Sequence, residues 1–306
     1  MIGYGIEITG LPGLWPEAAV HPSPRAALRW SLGREPLRSP TREGLWSEHE
    51  SDALIVGWAD WGAFRVDPVA GVVDVTLGPI SERDAALGFI FSVWPLILPF
   101  FGFEPFHGAA LRVNGGALVV LGRAEAGKST TALALRDAGL RYLADDAAAI
   151  DADGLLWPGP PLAVPRAIPG GVTGTGVTYD GKDVIAIENL DQSPVPVVAV
   201  AVLRPRAGGI LTVSELPPAA AVAELLSQVR GAWALRGLRR AHQLRAAADL
   251  AQARVAQVTF DHGAHSPALV AAEIASWVDQ AGEMDPLGDE VASTTTAMRP
   301  SPGSYR

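Results

Sequence analysis

Residues 122–151 read GRAEAGKSTTALALRDAGLRYLADDAAAID, and they indicate the fold class more clearly than any other part of the sequence. Its first eight residues match the pattern G-x-x-x-x-G-K-[ST] in full. The apolar run GALVVL at residues 116–121 precedes the match and is typical of a buried central strand. Residues 129–138 are predicted to form a helix, which Gly139 ends. A strand, this loop and a helix in that order predict a phosphate-binding loop, and hence a protein that binds a nucleotide triphosphate.

The predicted loop gives its own residues distinct roles. Backbone N–H groups and the helix N-terminus are expected to surround phosphate oxygens. Lys128 is expected to contact the β- and γ-phosphates, and the Ser129 hydroxyl is a predicted magnesium ligand. The predicted nucleotide-binding residues are Gly122, Arg123, Ala124, Glu125, Ala126, Gly127, Lys128, Ser129 and Thr130.

Two adjacent carboxylates follow the loop helix. Asp145 lies 17 residues after Lys128 (145 − 128) and, with Asp146, ends a strand predicted over residues 140–144. Parallel strands bring their carboxyl ends to the edge where ligands bind, so both carboxylates are expected near the loop. One can hold magnesium through its water shell while the other accepts a proton from an attacking hydroxyl. Neighbouring carboxylates raise one another's pKa, which suits a base.

Other candidates rest on single residues. His107, 15 residues before the loop (122 − 107), is a candidate for proton handling, although a lone histidine near a strand is more often structural. An arginine can neutralise a transferred phosphoryl group. We prefer Arg204, because it follows a second buried strand predicted at residues 195–203. Weaker candidates for a role at the site are Arg123, Arg166, Arg206 and Glu188.

The composition excludes several classes of function. A net charge of −9 and a pI near 5.2 argue against broad nucleic-acid binding. The absence of cysteine excludes disulfides, Cys-based zinc sites and thiol catalysis, and fits a cytoplasmic location. Residues 85–103 are uncharged and close to the length of a membrane span, but Pro95 and Pro99 interrupt them. We therefore predict a buried helix there and no membrane contact.

The chain divides into three predicted parts. Residues 1–102 have short apolar runs between turn signals, which predicts a β-rich N-terminal domain that ends in the apolar junction helix. Residues 103–281 form the predicted catalytic domain, in which the Gly-, Pro- and Thr-rich stretch 157–183 is expected to be a long mobile loop. Residues 282–306 have no apolar periodicity and are predicted to be disordered.

The residues around the loop resemble a known family. The sequence His107-Gly-Ala-Ala-Leu, the GKST loop, the helix ending in Ala-Gly and the strand closing on Asp145-Asp146 are similar to the catalytic domain of HPr kinase/phosphorylase. They are most similar to its shorter homologues of lasso-peptide biosynthesis, which phosphorylate a precursor peptide on a serine. The resemblance covers residues 103–205 well and 205–280 loosely. It implies an α/β fold: a P-loop-containing, HPr-kinase-like catalytic domain with a smaller β-rich N-terminal domain.

The resemblance also implies cofactors, partners and roles. The cofactors would be ATP and Mg²⁺, the acceptor a peptide or small protein, and the assembly a homo-oligomer. Asp145 would be the base, with Asp146 nearer the metal that Ser129 binds. The family's histidine upstream of the loop corresponds to His107, as a proton-handling or phosphate-contacting group.

The sequence departs from the family at two places. Arg123 and Glu125 add charge to a loop that is usually rich in Ser and Gly. Near Glu188 the Arg-Gly part of the bifunctional enzymes' signature is missing, which argues against a phosphorylase reaction and against HPr as the substrate.

Three functions stay open at this stage. The leading hypothesis is an ATP-dependent kinase for a serine-type hydroxyl of a precursor peptide, because phosphoryl transfer mainly needs positioning and charge neutralisation. The second is a kinase of a small hydroxylated metabolite such as free serine. The third is a nucleotide-binding switch or assembly module with little catalysis.

Overall fold

The computed structural model describes residues 1–12, 25–33, 45–50, 53–58, 61–165, 175, 177–179, 181–187, 193–231 and 240–280. Within them the protein is a mixed α/β structure with two large sheets and two small strand pairs. The first large sheet contains β1 (Ile2–Gly3), β2 (Ile6–Thr9), β3 (Ala26–Leu32), β4 (Leu45–Glu50), β5 (Ala53–Trp58), β6 (Gly62–Asp67) and β7 (Val72–Leu77).

The first sheet has the strand order β1-β2-β3-β7-β6-β5-β4. Strands β4 to β7 form an antiparallel meander, whereas β3 pairs parallel to both β2 and β7. In β7 the residues alternate, so that Val73 and Val75 are buried while their neighbours are partly exposed. This period of two gives the sheet one apolar face, which needs a cover.

A continuous helical segment, Glu82–Phe101, covers that face. It runs through α1 (Glu82–Gly88), a π-helical turn (Phe89–Val93), α2 (Trp94–Ile97) and a 3₁₀ turn (Leu98–Phe101). Pro95 and Pro99 lie in the first turns of the last two pieces, where the missing N–H costs least. By length and composition the segment is able to cross a membrane, but 78% of its most apolar window is buried against the protein. The prediction of a buried helix is confirmed.

The second large sheet has nine strands and carries the loop. Its main strand order is β11-β9-β10-β18-β13-β12-β8, and β20 pairs with both β18 and β19. The strands are β8 (Glu104–Phe106), β9 (Gly108–Val113), β10 (Gly116–Gly122), β11 (Arg141–Ala144), β12 (Ala148–Ile150), β13 (Leu155–Trp157), β18 (Val195–Pro205), β19 (Thr212–Glu215) and β20 (Arg254–Phe260).

Three parallel strands, β10, β18 and β20, form the centre of this sheet. Alternate residues of β10 enter two separate cores, Leu118 and Val120 on one face and Val119 and Leu121 on the other. The first core is closed by α3 (Lys128–Asp137) and α6 (Pro267–Asp279), and the second by α4 (Pro218–Leu226) and α5 (Arg240–Leu250). Burial on both faces explains the unbroken apolar run of β10.

The strands predicted at residues 116–121, 140–144 and 195–203 and the loop helix are confirmed as β10, β11, β18 and α3, within a few residues. The stretch 157–183 differs from the expected loop. Its described part contains β14 (Leu162–Ala163), which pairs with β17 (Ile185–Ala186), and the hairpin of β15 (Thr178–Tyr179) and β16 (Lys182–Asp183). Residues 166–174, 176 and 180 lie outside the described residues.

The predicted domain division at residues 102 and 103 stays a prediction, although the two large sheets fall on either side of it in sequence. The predicted disordered tail, 282–306, lies outside the described residues.

Candidate functional site

The candidate residues meet at one edge of the second sheet because of strand direction. β10 ends at Gly122, beside Leu203 of its parallel neighbour β18. β9 is antiparallel to β10 and pairs Gly108 with Leu121, so His107 enters at the same edge. β11 is antiparallel to β9 and ends there too, just before Asp145. The antiparallel strand β9 thus lies between the loop strand and the aspartate strand, whereas the sequence predicted only that both strands end at the same edge of a parallel sheet.

The loop of residues 122–129 joins β10 to α3 in the predicted geometry. Gly127 has a φ of 91° and Glu125 a φ of 66°, values in the left-handed region that non-glycine residues rarely adopt. Lys128 is only 8% exposed, and its Nζ donates to the carbonyl oxygens of Gly122 and Arg123, both at 2.9 Å. Burial lowers the pKa of Lys128 to about 8, while the two aspartates oppose the shift. The ammonium therefore sits inside the loop that is to hold phosphate.

Asp145 is buried against the first turn of the loop helix. Its side chain accepts hydrogen bonds from the Ser129 hydroxyl at 2.9 Å and from the Val164 backbone N–H at 3.0 Å, and it is 4% exposed. Burial raises the pKa of Asp145, and the charge of Asp146 adds to the increase, whereas the two hydrogen bonds oppose it. The contact with Ser129 joins the predicted metal ligand to the aspartate pair.

Asp146 has a different environment, although it is the next residue. Burial alone would raise its pKa, but Arg230 and the loop lysine hold the pKa of Asp146 below its ordinary value. Arg230 Nη1 lies 2.6 Å from Asp146 Oδ1 and donates to the Asp146 carbonyl oxygen at 2.8 Å. The two adjacent carboxylates therefore differ in proton affinity, as an acid–base site requires.

His107 faces Asp146 across this edge. Its Nδ1 lies 3.5 Å from Asp146 Oδ1 and 2.8 Å from Arg230 Nη1. Nδ1 also lies 3.2 Å from the Asp146 carbonyl oxygen. A guanidinium only donates and a carbonyl only accepts, so these two contacts of Nδ1 require opposite tautomers of the ring. Burial lowers the pKa of His107 to about 4, although Asp146 opposes the shift. The structure thus presents an imidazole that burial keeps neutral.

Arg230 is the residue that sequence reasoning missed. It follows α4 in a stretch without a motif, 123 residues after His107. Backbone pairing brings it to the site, because the His107 N–H donates to Gln228 O and the Arg230 N–H donates to Pro105 O, both at 2.8 Å. Its Nη2 also donates to Phe91 O in the apolar helical segment. Nothing local in the sequence signals these contacts.

The predicted arginines are placed differently. Arg204 lies at the same edge, but its guanidinium forms an ion pair with Glu224 of α4. Arg123 is exposed within the loop. Arg166 and Glu188 lie outside the described residues. Among the described residues, no group of three or more His, Asp or Glu side chains is arranged to hold a metal.

Two clefts open on either side of the loop and share Arg123, Ala124 and Arg204. The first, of about 680 Å³, is lined by His107, Gly122, Ser227, Gln228, Val229 and Arg230 besides the shared residues. The second, of about 770 Å³, adds Glu125, Ala126, Leu203, Pro205, Arg206, Gln257, Thr259 and His262. The first cleft is lined by His107 and Arg230, and the second follows the ends of the parallel strands, whereas Asp145 and Asp146 line neither cleft.

Comparison with known proteins gives distant similarity only. No family model matches the sequence, and no curated protein matches it. Among solved structures, the chain is similar to the HPr(Ser) kinase/phosphatase from Coxiella burnetii, with 14% identity and a TM-score of 0.29. The alignment covers 58% of this chain and 99% of that one. Similarity at this level does not assign a family, so the site is interpreted from its own geometry.

Proposed function

We propose that the protein is an ATP- and magnesium-dependent kinase that transfers the γ-phosphoryl group to a serine-type hydroxyl, with a precursor peptide as the acceptor. One observation carries the proposal: the buried lysine of a phosphate-binding loop lies at the same sheet edge as two adjacent aspartates of opposite pKa shift. A loop alone fits any nucleotide-binding protein, whereas the added acid–base pair favours transfer onto a hydroxyl.

The residues present fit a magnesium ion. Ser129 Oγ and Asp145 Oδ1 lie 2.9 Å apart and offer two oxygen donors on one side of the loop. Magnesium prefers oxygen ligands and is usually held by one or two carboxylates together with nucleotide phosphates and water. When bound, the ion would neutralise charge on the β- and γ-phosphates. Ser129 and Asp146 are the side chains predicted to hold it, and the Asp145 carboxylate lies beside Ser129.

The aspartates divide the chemistry between them. In the transfer, the acceptor oxygen forms a bond to the γ-phosphorus while the bond from that phosphorus to the β–γ bridging oxygen breaks, and ADP leaves. The acceptor hydroxyl gives its proton to a carboxylate. We assign this base to Asp145, because burial raises its pKa, and assign to Asp146 a fixed negative charge that Arg230 maintains.

The contact between Asp145 and Ser129 supports the reverse division, with Asp145 beside the metal. The variants Asp145→Asn and Asp146→Asn distinguish these two assignments of base and metal ligand. For each variant, the manganese affinity in the presence of ADP and the transfer rate are measured. If Asp145 is the base, its variant retains metal affinity and loses transfer. If Asp145→Asn instead loses most of the metal affinity, the roles are exchanged.

His107, Lys128 and Arg204 complete the proposed site. Lys128 would shift its hydrogen bonds from two loop carbonyls to phosphate oxygens. The imidazole of His107 would contact a phosphate or acceptor oxygen in the first cleft. Arg204 would stabilise the transferred group only after giving up part of its ion pair with Glu224.

A direct assay tests the proposal. The protein is incubated with labelled ATP and Mg²⁺ together with a peptide that ends in serine, a peptide with an internal serine, free serine, or no acceptor. Label on a peptide supports the proposal, and label on free serine alone favours the metabolite kinase. Slow phosphate release that no acceptor increases favours the switch. Lys128→Ala serves as the inactive control. The homo-oligomer stays a prediction, and light scattering tests it by measuring the mass of the protein in solution.

A further inference from the structure

The backbone at Asp146 is strained. Its φ is 66°, and the Ala147 N–H donates to Asp145 O at 2.8 Å. A positive central φ with a hydrogen bond from residue i+2 back to residue i defines the rarer, strained form of the γ-turn. Residues in such regions persist only where their surroundings hold them. The turn sets the direction of both aspartate side chains, so whatever holds it also positions the site.

Two side chains from distant parts of the chain bind carbonyl groups of this turn. Arg230 donates to Asp146 O at 2.8 Å, and the Tyr4 hydroxyl donates to Ala147 O at 3.2 Å. Tyr4 belongs to the turn between β1 and β2 of the first sheet, 143 residues away in sequence. The first sheet therefore reaches the strained turn directly.

Tyr4 is itself firmly placed. It is 2% exposed, its backbone N–H donates to Pro158 O at 2.5 Å, and its ring packs edge-on against Trp94 at 5.7 Å. A Cβ on Gly159 would lie 3.2 Å from the Tyr4 hydroxyl, so glycine leaves room for the ring. Burial raises the pKa of Tyr4 well above its ordinary value, so the hydroxyl keeps its proton and remains a donor.

We propose that Tyr4 is a positioning residue for the Asp145–Asp146 turn, so that the first sheet completes the site on the second. The inference rests on the proposed function for its kinetic consequence, but the contact with the turn has a consequence of its own. Without the hydroxyl, the buried Ala147 carbonyl loses this hydrogen bond and the strained turn loses its contact with the first sheet.

The variant Tyr4→Phe keeps the ring and removes the hydroxyl. We expect kcat for transfer to fall about tenfold, the effect of losing one buried hydrogen bond, with an unchanged Kd for ATP. Amide hydrogen exchange of a peptide covering residues 145–149 should become faster. Ser81→Ala is the matched control, because it removes the N-cap bond of α1 to Asp84 and leaves the site untouched.

The two readouts separate the possible failures. Faster exchange at residues 145–149 in Tyr4→Phe, but not in Ser81→Ala, supports the positioning role even when the wild-type protein transfers no phosphoryl group, a result that would reject the kinase alone. If residues 145–149 exchange their amide hydrogens at the same rate in Tyr4→Phe as in the wild type, the inference is overturned. An equal loss of kcat in both variants also overturns it, since the effect would then follow general stability.

Discussion

Arg230 Nη1 lies 2.6 Å from Oδ1 of Asp146, and the same nitrogen donates to the backbone carbonyl of Asp146 at 2.8 Å. One guanidinium thus fixes both the charge and the backbone of a residue 84 positions earlier. Among the described residues, no cation forms such a pair with the neighbouring Asp145, and burial raises the pKa of Asp145. This difference between adjacent residues is the basis of the predictions below.

Removing the guanidinium should raise the pKa of Asp146. In Arg230→Met the carboxylate stays largely buried without its cation, so the acid limb of the rate–pH profile should move to higher pH. Because the pKa of Asp146 is lower in the folded protein than in the unfolded chain, the ionised carboxylate stabilises the fold. This stabilisation is present above the unfolded pKa of ~3.9 and is lost as pH falls through the folded pKa. The loss of stability in Arg230→Met should therefore be larger at pH 7 than at pH 4.

Urea denaturation at the two pH values measures this effect. We expect a loss of about 1–3 kcal/mol at pH 7, below the range for fully buried pairs because both side chains are about one-fifth exposed. Arg65→Met removes the exposed pair with Glu50 and is the control, with an expected loss below about 1 kcal/mol. If Arg230→Met loses the same free energy of unfolding at pH 7 and pH 4, the predicted coupling between Arg230 and the ionisation of Asp146 is wrong.

Asp145→Asn should stabilise the fold at neutral pH while abolishing transfer. Because the pKa of Asp145 is higher in the folded protein than in the unfolded chain, protonation of Asp145 stabilises the fold. This stabilisation is complete below the unfolded pKa of ~3.9 and is lost as pH rises through the folded pKa. Asparagine carries no charge, and it can accept from Val164 N–H while donating to the Ser129 hydroxyl.

Thermal denaturation between pH 4 and 8 tests this prediction. The variant's Tm should exceed that of the wild type at pH 7, and the difference should shrink towards pH 4. Asp137→Asn, at an exposed position at the end of α3, is the control and should show no such trend. If Asp145→Asn is less stable than the wild type at pH 7, the hydrogen bonds that the wild-type carboxylate accepts stabilise the fold more than its buried charge destabilises it, and the prediction is wrong.

Lys128→Ala should weaken ATP binding roughly 10- to 150-fold, since a charged hydrogen bond contributes about 1.5–3 kcal/mol. Titration calorimetry measures the Kd. Arg136→Ala, on the same helix but paired with the exposed Asp137, should bind ATP as the wild type does. Unchanged affinity in Lys128→Ala would remove the basis for the nucleotide site.

His107 should remain neutral throughout the physiological range. Because burial lowers its pKa to about 4, its ring signals in NMR spectra should not titrate between pH 5 and 8. His107→Gln identifies the signals by their disappearance. In Arg230→Met the neighbouring cation is gone, so the pKa of His107 should rise. A wild-type value between 6 and 7 would contradict the buried neutral ring.

Short sequence patterns were enough to locate the local parts of the site. The unbroken apolar run of β10, the loop of Gly122 to Ser129 and its helix follow from short patterns, and each was placed within a few residues. Asp145 and Asp146 were recognised because they directly follow a strand. Such features depend on neighbours in sequence, where periodicity and glycine positions are informative.

The distant residues that complete the site could be identified only from the three-dimensional fold. It inserted β9 between the loop strand and the aspartate strand, and it brought Arg230 and Tyr4 to the same turn from opposite ends of the chain. It also gave Arg204 an acidic partner and made two adjacent carboxylates unequal. The contacts of Arg230 and Tyr4 join residues 84 and 143 positions apart. No local pattern encodes such contacts, and the inequality of the two carboxylates follows from their burial and from these tertiary neighbours.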